Sequence, residues 1–190
     1  MGRNNFDNVT MIAKMYIDSV VKEGDICIDA TMGKGNDTLY LAEKAGKSGF
    51  VYAFDIQEEA ITKTSEKLNE KGLLENTKLI HDGHENIDLY VDKKIKCAVF
   101  NLGYLPGFGH EVITKPDTTI KAIEKSVNLL EDNGIVSICM YTGHEGGMDE
   151  KNAVVEYASS LDQREYNVST TRFINQANNP PEIILIEKKK

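Results

Sequence analysis

The stretch DATMGKGNDT (residues 29–38) decides the fold of this chain, because strand, turn and helix patterns follow one another within a few residues. It begins at the end of the short apolar run ICIDA (26–30), which is typical of a buried strand. Gly33 and Gly35 then predict a tight turn, and residues 37–44 have the pattern of a helix that ends at Gly46. Glycine lets the backbone approach a ligand closely, and the helix N-terminus offers free N–H groups.

The alternation of strands and helices continues on both sides of this stretch. An N-terminal helical segment is predicted within residues 1–22 from the helical spacing of Val9, Ile12, Ala13, Tyr16 and Val20. Further strands are predicted at 50–56, 78–82, 96–102 and 135–142, and further helices at 58–71, 84–90, 120–130 and 154–161. Asn133-Gly134 is interpreted as the stop of the helix at 120–130. Strand–helix repeats predict a parallel sheet with helices on both faces.

The last part of the chain departs from this alternation. Residues 166–174 and 182–188 have strand patterns with only the loop QANNPP between them, which favours an antiparallel hairpin. We therefore predict one domain over residues 1–190, with a mostly parallel, seven-stranded α/β sheet closed by that hairpin. This is the Rossmann-like layout of class I methyltransferases, which bind ligands at the carboxyl ends of the strands, where the strand order reverses.

Composition narrows the class of protein. The 190 residues are 41% hydrophobic, enough for a core, and no apolar run approaches the length of a membrane span. The net charge is −8, and arginine occurs only at positions 3, 164 and 172. This composition argues against a general nucleic-acid-binding protein with a basic surface, but it permits an enzyme that binds one RNA over a small area. Cys27, Cys97 and Cys139 lie in strand-like runs, which indicates buried thiols in a reducing cytoplasm.

The glycine turn favours a cationic ligand. Gly33 and Gly35 fit the first two positions of the dinucleotide fingerprint G-x-G-x-x-G, but Thr38 stands at the third. The carboxylate of Asp29 would be unfavourable beside the negative charge of a pyrophosphate. It suits the positively charged amino group of S-adenosylmethionine. The alternative is an ordinary polar turn in which Asn36 or Asp37 caps the helix.

Two further acids follow strands. Asp55 comes 22 residues after Gly33, where an acid accepts hydrogen bonds from the ribose of either NAD or S-adenosylmethionine. Asp55 as the N-cap of the next helix is the alternative, and Gln57 either assists at the ribose or is exposed. Asp82 lies in HDGH (81–84), at the end of the third predicted strand. In methyltransferases an acid at this place often contacts the adenine amino group of the cofactor. The H-x-x-H spacing invites a zinc interpretation, but no third ligand is evident, so we predict no metal.

Two loops are candidates for the chemistry. NLGYLPG (101–107) resembles the N-P-P-Y type motif of amino-group methyltransferases, in which Asn101 would orient the target amine and Tyr104 would stack on its base. A glycine–proline loop with a buried tyrosine is the alternative. In YTGHEGG (141–147), His144 is a candidate base, and a merely solvated loop histidine is the alternative.

Together, several segments resemble one family. These are DATMGKGNDT, FDIQ, NLGYLPG with the T-x-P-x-T-T stretch that follows, YTGHEGG, and FINQANNPPEIILIEK near the end of the chain. They resemble the “putative rRNA methylase” family of bacterial class I methyltransferases, the YtqB-like or MnmM proteins. The similarity runs from about Val21 to Lys188.

The resemblance implies an activity on tRNA. Such enzymes methylate the aminomethyl group of 5-aminomethyl-2-thiouridine at the wobble position, in the anticodon region, with S-adenosylmethionine as donor. By the resemblance, Asn101 and Tyr104 would meet the target nucleotide, and with His144, the candidate base of the YTGHEGG loop, they form the predicted catalytic group. The cofactor would be held by the turn, the strand ends and the residues beside them: Asp29, Thr31, Gly33, Gly35, Asn36, Asp37, Thr38, Asp55, Gln57, Asp82, Gly83, His84 and Asn101.

Two departures from the family pattern and several rival functions stay open. Thr31 replaces the first glycine that methyltransferases commonly have, and Gly107–His110 has glycine where an acid is expected, with Glu111 as a substitute. The same cofactor motifs would serve another acceptor: an rRNA base, a protein or a small amine. The chain could instead be a nicotinamide-dependent oxidoreductase or a non-catalytic RNA-binding module. A homodimer would give an acidic chain more surface for tRNA.

Overall fold

The computed structural model describes residues 8–103, 113–177 and 179–190. In these ranges, helices and strands alternate along the chain as the sequence predicts. The elements are α1 (Val9–Val20), β1 (Ile26–Asp29), α2 (Asn36–Ala45), β2 (Phe50–Asp55), α3 (Glu58–Glu70), β3 (Thr77–His81), a 3-10 helix (His84–Leu89), β4 (Ile95–Leu102), α4 (Pro116–Leu129), β5 (Leu130–Met140), α5 (Gly147–Ser160), β6 (Tyr166–Thr171) and β7 (Glu182–Lys188).

The strands form a seven-stranded sheet in the order β3-β2-β1-β4-β5-β7-β6. Strands β1 to β5 are parallel, while β7 pairs antiparallel with both β5 and β6. The strand order reverses between β1 and β4, so the crevice expected to hold a ligand opens at the carboxyl ends of these two strands. The predicted Rossmann-like class I methyltransferase fold with a C-terminal antiparallel hairpin is confirmed.

Helices cover both faces of the sheet, as predicted. On one face, the 3-10 helix, α4 and α5 pack on β4 and β5 through buried residues that include Ile87, Ile123 and Val154. On the other, α1 and α2 pack on β1 and β4, where Cys27 and Cys97 are fully buried. Val9 and Ala13 of α1 also pack with Cys139 of β5 and with Ile183 and Leu185 of β7. All three cysteines are buried free thiols, as the sequence predicts.

The boundary between α4 and β5 was predicted wrongly. Helix α4 ends at Leu129, and Leu130 already pairs with Ile95 in the sheet. Asn133, at φ 57°, and Gly134 lie inside β5, where the register shifts between Ile95 and Cys97. Leu130 is fully buried in the strand, so it satisfies the apolar spacing of the preceding helix without belonging to it. Strand β6 also ends at Thr171, earlier than predicted.

No helix within the described residues is both long enough and apolar enough to cross a membrane.

Candidate cofactor and methyl-transfer site

The glycine turn joins β1 to α2 and lies against α3. Gly33 and Gly35 have φ values of 53° and 69°, a backbone region that strongly favours glycine. A Cβ atom on Gly35 would lie 2.5 Å from Oγ1 of Thr64 in α3, so this position also needs glycine for space. Gly35 is the N-cap of α2 and no side chain caps that helix, so the interpretation of Asn36 or Asp37 as its cap is wrong.

Asp55 connects the end of β2 to this turn. Its Oδ2 accepts a hydrogen bond from the backbone N–H of Gly33 at 2.8 Å, and its Oδ1 accepts one from the N–H of Gln57 at 2.9 Å. Gln57, and not Asp55, is the N-cap of α3. Each carboxylate oxygen has a second acceptor position, so Asp55 retains the capacity to bind a pair of hydroxyl groups beside the turn.

Asp29 lies beneath the turn and is fully buried. Its Oδ2 accepts from the hydroxyl of Thr38 at 2.6 Å, and its Oδ1 accepts from the N–H of Thr31 at 3.2 Å. Burial, followed by the negative charge of Asp37, raises the pKa of Asp29 to about 7. Asp29 therefore faces the turn from inside, and a cation bound near it would favour its charged form.

Asn101 at the end of β4 is held at both its backbone and its side chain. Its N–H donates to Oγ1 of Thr31 at 2.7 Å, so the residue that replaces the usual first glycine has a defined partner. Its Nδ2 donates to Oδ2 of Asp37 at 2.7 Å, and Oδ1 of Asp37 lies 3.8 Å from Nζ of Lys14. A carboxylate only accepts, so this bond orients the amide and leaves the Asn101 oxygen as an acceptor.

Asp82, after β3, makes several bonds to its own neighbourhood. Its carboxylate accepts from Nδ2 of Asn86 at 3.0 Å, from the hydroxyl of Tyr90 at 2.8 Å and from the N–H of Gly83 at 2.7 Å. The bonds from Asn86 and Tyr90 are the main reason why its pKa is lowered. Asp82 is therefore an anion at neutral pH.

The two histidines of HDGH both contact backbone carbonyl oxygens. Nδ1 of His84 lies 3.0 Å from the oxygen of Ala30, and Nε2 of His81 lies 2.9 Å from that of Ile56. Burial lowers the pKa of His84, so its ring is neutral at pH 7 and supports the end of β1. Within the described ranges, no group of three His, Cys, Asp or Glu side chains is arranged to hold a metal ion.

His144 lies beside the end of β4. A Cβ atom on Gly103 would be 3.6 Å from Cε1 of the His144 ring, and one on Gly147 would be 2.8 Å from the same atom. The ring therefore packs between these two glycines, and Gly103 is only two residues beyond Asn101. Tyr104, the Gly107–His110 stretch and Glu111 lie outside the described residues.

Three side chains at this edge of the sheet were not predicted. Lys14 of α1 approaches Asp37, and Lys67 of α3 donates to the oxygen of Lys34 at 2.5 Å and to Oδ1 of Asn36 at 2.6 Å. Glu150 of α5, only 2% exposed, accepts from two threonines of the T-x-P-x-T-T stretch. That stretch was the available signal for Glu150, whereas lysines on helices have no distinctive pattern.

Comparisons with known proteins agree on one family. Residues 51–187 match the family model described as “Putative rRNA methylase”. The chain belongs to this family. It is 33% identical to the tRNA (mnm(5)s(2)U34)-methyltransferase, chloroplastic, of Arabidopsis thaliana, in an alignment that covers 95% of this chain and 69% of the relative.

Solved structures that are similar to this chain have the same fold. A putative rRNA-methylase from Clostridium thermocellum is 45% identical, with a TM-score of 0.94 over 96% of this chain and 98% of that one. A putative methyltransferase from Streptococcus mutans, solved in complex with SAH, is 41% identical, with a TM-score of 0.87 over 99% of each chain. Membership confirms the predicted enzyme class, an S-adenosylmethionine-dependent methyltransferase, and removes support for the nicotinamide-dependent oxidoreductase.

The residues of this family member fit the cofactor. Acids stand at or beside the ends of β1, β2 and β3, namely Asp29, Asp55 and Asp82. Asp55 has acceptor positions suited to ribose hydroxyls, and the buried charge of Asp29 suits a ligand with ammonium and sulfonium groups. We propose that these acids, with the Gly33–Gly35 turn, hold S-adenosylmethionine.

The buried acid gives a prediction for this methyltransferase. Asp29→Asn is expected to stabilise the cofactor-free protein by roughly 2–4 kcal/mol at pH 8. The pKa of Asp29 is about 7 in the folded protein against an ordinary 3.8, so folding is weakened as pH rises from about 4 to about 7. Asparagine has no charge to bury and can still bond to Thr31 and Thr38. Urea unfolding of both proteins at pH 5 and pH 8 measures the difference.

The gain should be smaller at pH 5 than at pH 8, while the affinity for S-adenosylhomocysteine should fall. A stability difference that does not grow with pH would contradict the assignment of a proton to Asp29. Thr38→Ser, which keeps the hydroxyl donor to this carboxylate, is the matched control and should follow the wild-type pH dependence.

Proposed function

We propose that this protein methylates the aminomethyl nitrogen of 5-aminomethyl-2-thiouridine at the wobble position of tRNA. The observation that carries the proposal is the orientation of Asn101, whose amide donates to Asp37 and keeps its oxygen available at the end of β4. An amide oxygen in this position suits an amine acceptor, because it accepts an N–H bond and so aims the nitrogen lone pair. The tRNA substrate is supported by the name of the Arabidopsis relative.

The protein has two tasks in this reaction. S-adenosylmethionine supplies an electrophilic methyl group when bound. Asn101 would orient the neutral amine so that its lone pair attacks the methyl carbon while the carbon–sulfur bond breaks and its electron pair stays on sulfur. An alkylamine is mostly protonated at pH 7, as lysine is, so a group of the protein must accept a proton. His144, beside Gly103, is proposed for that role.

His144→Ala is expected to lower the methyl-transfer rate about 100-fold, the usual contribution of a general base. The affinity for S-adenosylhomocysteine should stay within about twofold, because no proposed cofactor contact is removed. Single-turnover rates with saturating tRNA, together with calorimetric titration of S-adenosylhomocysteine, separate the two effects. His144→Gln keeps much of the side-chain volume and is the control for packing against Gly147. An unchanged transfer rate in both variants would remove His144 from the mechanism.

The function is tested with labelled S-adenosylmethionine and tRNA that stops at 5-aminomethyl-2-thiouridine. Nucleoside mass spectrometry should show one added methyl group at that nucleoside. Transfer to ribosomal RNA, protein or a small amine, and not to the tRNA, would overturn the acceptor while leaving the methyltransferase class. Binding of S-adenosylhomocysteine and of tRNA without any transfer would favour a non-catalytic RNA-binding module.

The proposal also includes the cellular location, the region of tRNA that is contacted and the oligomeric state. We propose a cytoplasmic location, which is supported by the three buried free thiols, since cysteines stay reduced there. We propose contact with the anticodon region, because the wobble nucleotide lies in it. A homodimer would enlarge the RNA-binding surface of a chain with a net charge of −8, and sedimentation with and without tRNA tests it.

A further inference from the structure

A second buried carboxylate lies at the site edge of the sheet, outside the residues assigned to the cofactor. Glu150 is in the first turn of α5 and is 2% exposed. Its Oε2 accepts from the hydroxyl of Thr114 at 2.7 Å, and its Oε1 accepts from that of Thr119 at 2.6 Å. A buried carboxyl group needs hydrogen-bond partners, and these two bonds join α5 to two separate points on the chain around the start of α4.

Thr114 in turn holds the end of β4. The N–H of Gly103 donates to Oγ1 of Thr114 at 3.0 Å, and the N–H of Thr114 donates to the oxygen of Gly103 at 3.1 Å. These bonds bring together the two points where the chain leaves β4 and returns towards α4. Gly103 has a φ of 144°, which favours glycine, and it also lies against the ring of His144.

The direction of these bonds explains why the residue at position 150 is an acid. Because Glu150 only accepts, the Thr114 hydroxyl must give its proton to the carboxylate, and its lone pairs then remain for the N–H of Gly103. Glutamine would present one NH₂ group to one of the two threonines. That threonine would lose its acceptor, so a buried hydrogen bond would be broken or reversed.

We propose that Glu150 is a positioning residue for the methyl acceptor, acting through the Thr114 hydroxyl on the end of β4. The inference rests on the proposed function, in which Asn101 orients the amine. Asn101 is the second-last residue of β4, and Gly103 directly follows the strand. A shift of Gly103 therefore moves the Asn101 amide and the surface against which His144 packs. Reaction rates are steep in such displacements, since misplacement by about 1 Å costs on the order of 100-fold.

The test compares Glu150→Gln with variants of its two partners. Thr114→Val removes the hydroxyl that reaches Gly103, whereas Thr119→Val removes the other donor to the same carboxylate and leaves the Gly103 bonds in place. Glu150→Gln and Thr114→Val should lower kcat/KM for tRNA about tenfold or more, with the S-adenosylhomocysteine affinity within about twofold. Thr119→Val should lower the melting temperature but keep the wild-type kcat/KM. Thr114→Ser keeps the hydroxyl that Thr114→Val removes, so its kcat/KM should be close to that of the wild type.

Loss of kcat/KM in Thr119→Val equal to that in Thr114→Val would overturn the proposal, because it would make Glu150 a general structural support. A wild-type kcat/KM in Thr114→Val would also overturn the proposal. This second variant tests the proposal even if Glu150→Gln does not fold. If the wild-type protein methylates no tRNA, the proposed function has failed, and amide hydrogen exchange then tests the positioning alone. Faster exchange at Gly103 in Glu150→Gln, but not in Thr119→Val, would support it, and unchanged exchange would overturn it.

Discussion

Asn101→Ala is expected to lower the methyl-transfer rate by about 100- to 1,000-fold while leaving the fold intact. The change removes the amide oxygen that would hold the amine lone pair in line with the methyl group. Loss of such an orienting contact lowers reaction rates by factors of this order. The backbone bond from residue 101 to Thr31 survives in the alanine variant, so the end of β4 should keep its place. Single-turnover methyl transfer to tRNA measures the loss, and titration of S-adenosylhomocysteine measures any change in cofactor affinity.

Asp37 provides the matched control for this prediction. Asp37→Asn keeps an oxygen that accepts from the Asn101 amide, whereas Asp37→Ala leaves that amide unheld. We therefore expect Asp37→Ala to lose transfer rate towards the level of Asn101→Ala, and Asp37→Asn to lose much less. Equal rates in the two Asp37 variants would show that the orientation of Asn101 does not depend on this bond. A wild-type rate in Asn101→Ala would remove Asn101 from the reaction.

Asp55→Ala is expected to weaken S-adenosylhomocysteine binding about 100-fold. The carboxylate would provide the acceptors for the ribose hydroxyls, and hydrogen bonds to a charged group contribute about 1.5–3 kcal/mol each. The variant also leaves the N–H groups of Gly33 and Gln57 without their partner, so the turn itself should loosen. Isothermal titration with S-adenosylhomocysteine measures the affinity, and circular dichroism confirms that the variant is folded.

Asp55→Asn separates the two contributions to that loss. Its amide oxygen can keep one of the two backbone bonds, but its NH₂ group cannot accept the other. An intermediate loss, about tenfold, is expected. Wild-type affinity for S-adenosylhomocysteine in Asp55→Ala would contradict the proposal that the ribose binds at the end of β2.

The sequence was sufficient for the fold because the buried strands of this sheet, parallel and antiparallel, are short apolar runs with polar ends. The run ICIDA and the later IIL core of residues 182–188 were placed correctly on this ground alone. Leu130 was not, because a buried leucine satisfies the period of a helix and the interior of a strand equally well. Where helix and strand join without a polar break, as at Leu129 and Leu130, spacing does not locate the boundary.

Candidate site residues could be proposed from the sequence only where a polar residue stands at or beside the end of a strand. Asp29, Asp55, Asp82 and Asn101 were proposed in this way, since the carboxyl ends of parallel strands meet at one edge. The hydrogen bonds that join one element to another were not predicted, because they link residues distant in sequence, such as Asn101 and Asp37 or Asp55 and Gly33. Glu150 was missed for the same reason: the T-x-P-x-T-T stretch was noticed, but nothing in the sequence shows that two of its threonines donate to an acid more than thirty residues later.

The placement of α1 has a consequence for synthesis on the ribosome. Val9 and Ala13, in the first of the described helices, are buried against Ile183 and Leu185 of β7, which is translated after the other six strands of the sheet. β7 also lies between β5 and β6, so the antiparallel end of the sheet cannot close before residues 182–188 emerge from the exit tunnel. Ile17 of α1 can pack on β1 and β4 earlier, but Val9 and Ala13 lack part of their covering until β7 emerges. This end of the helix is therefore a place where a chaperone could bind during translation.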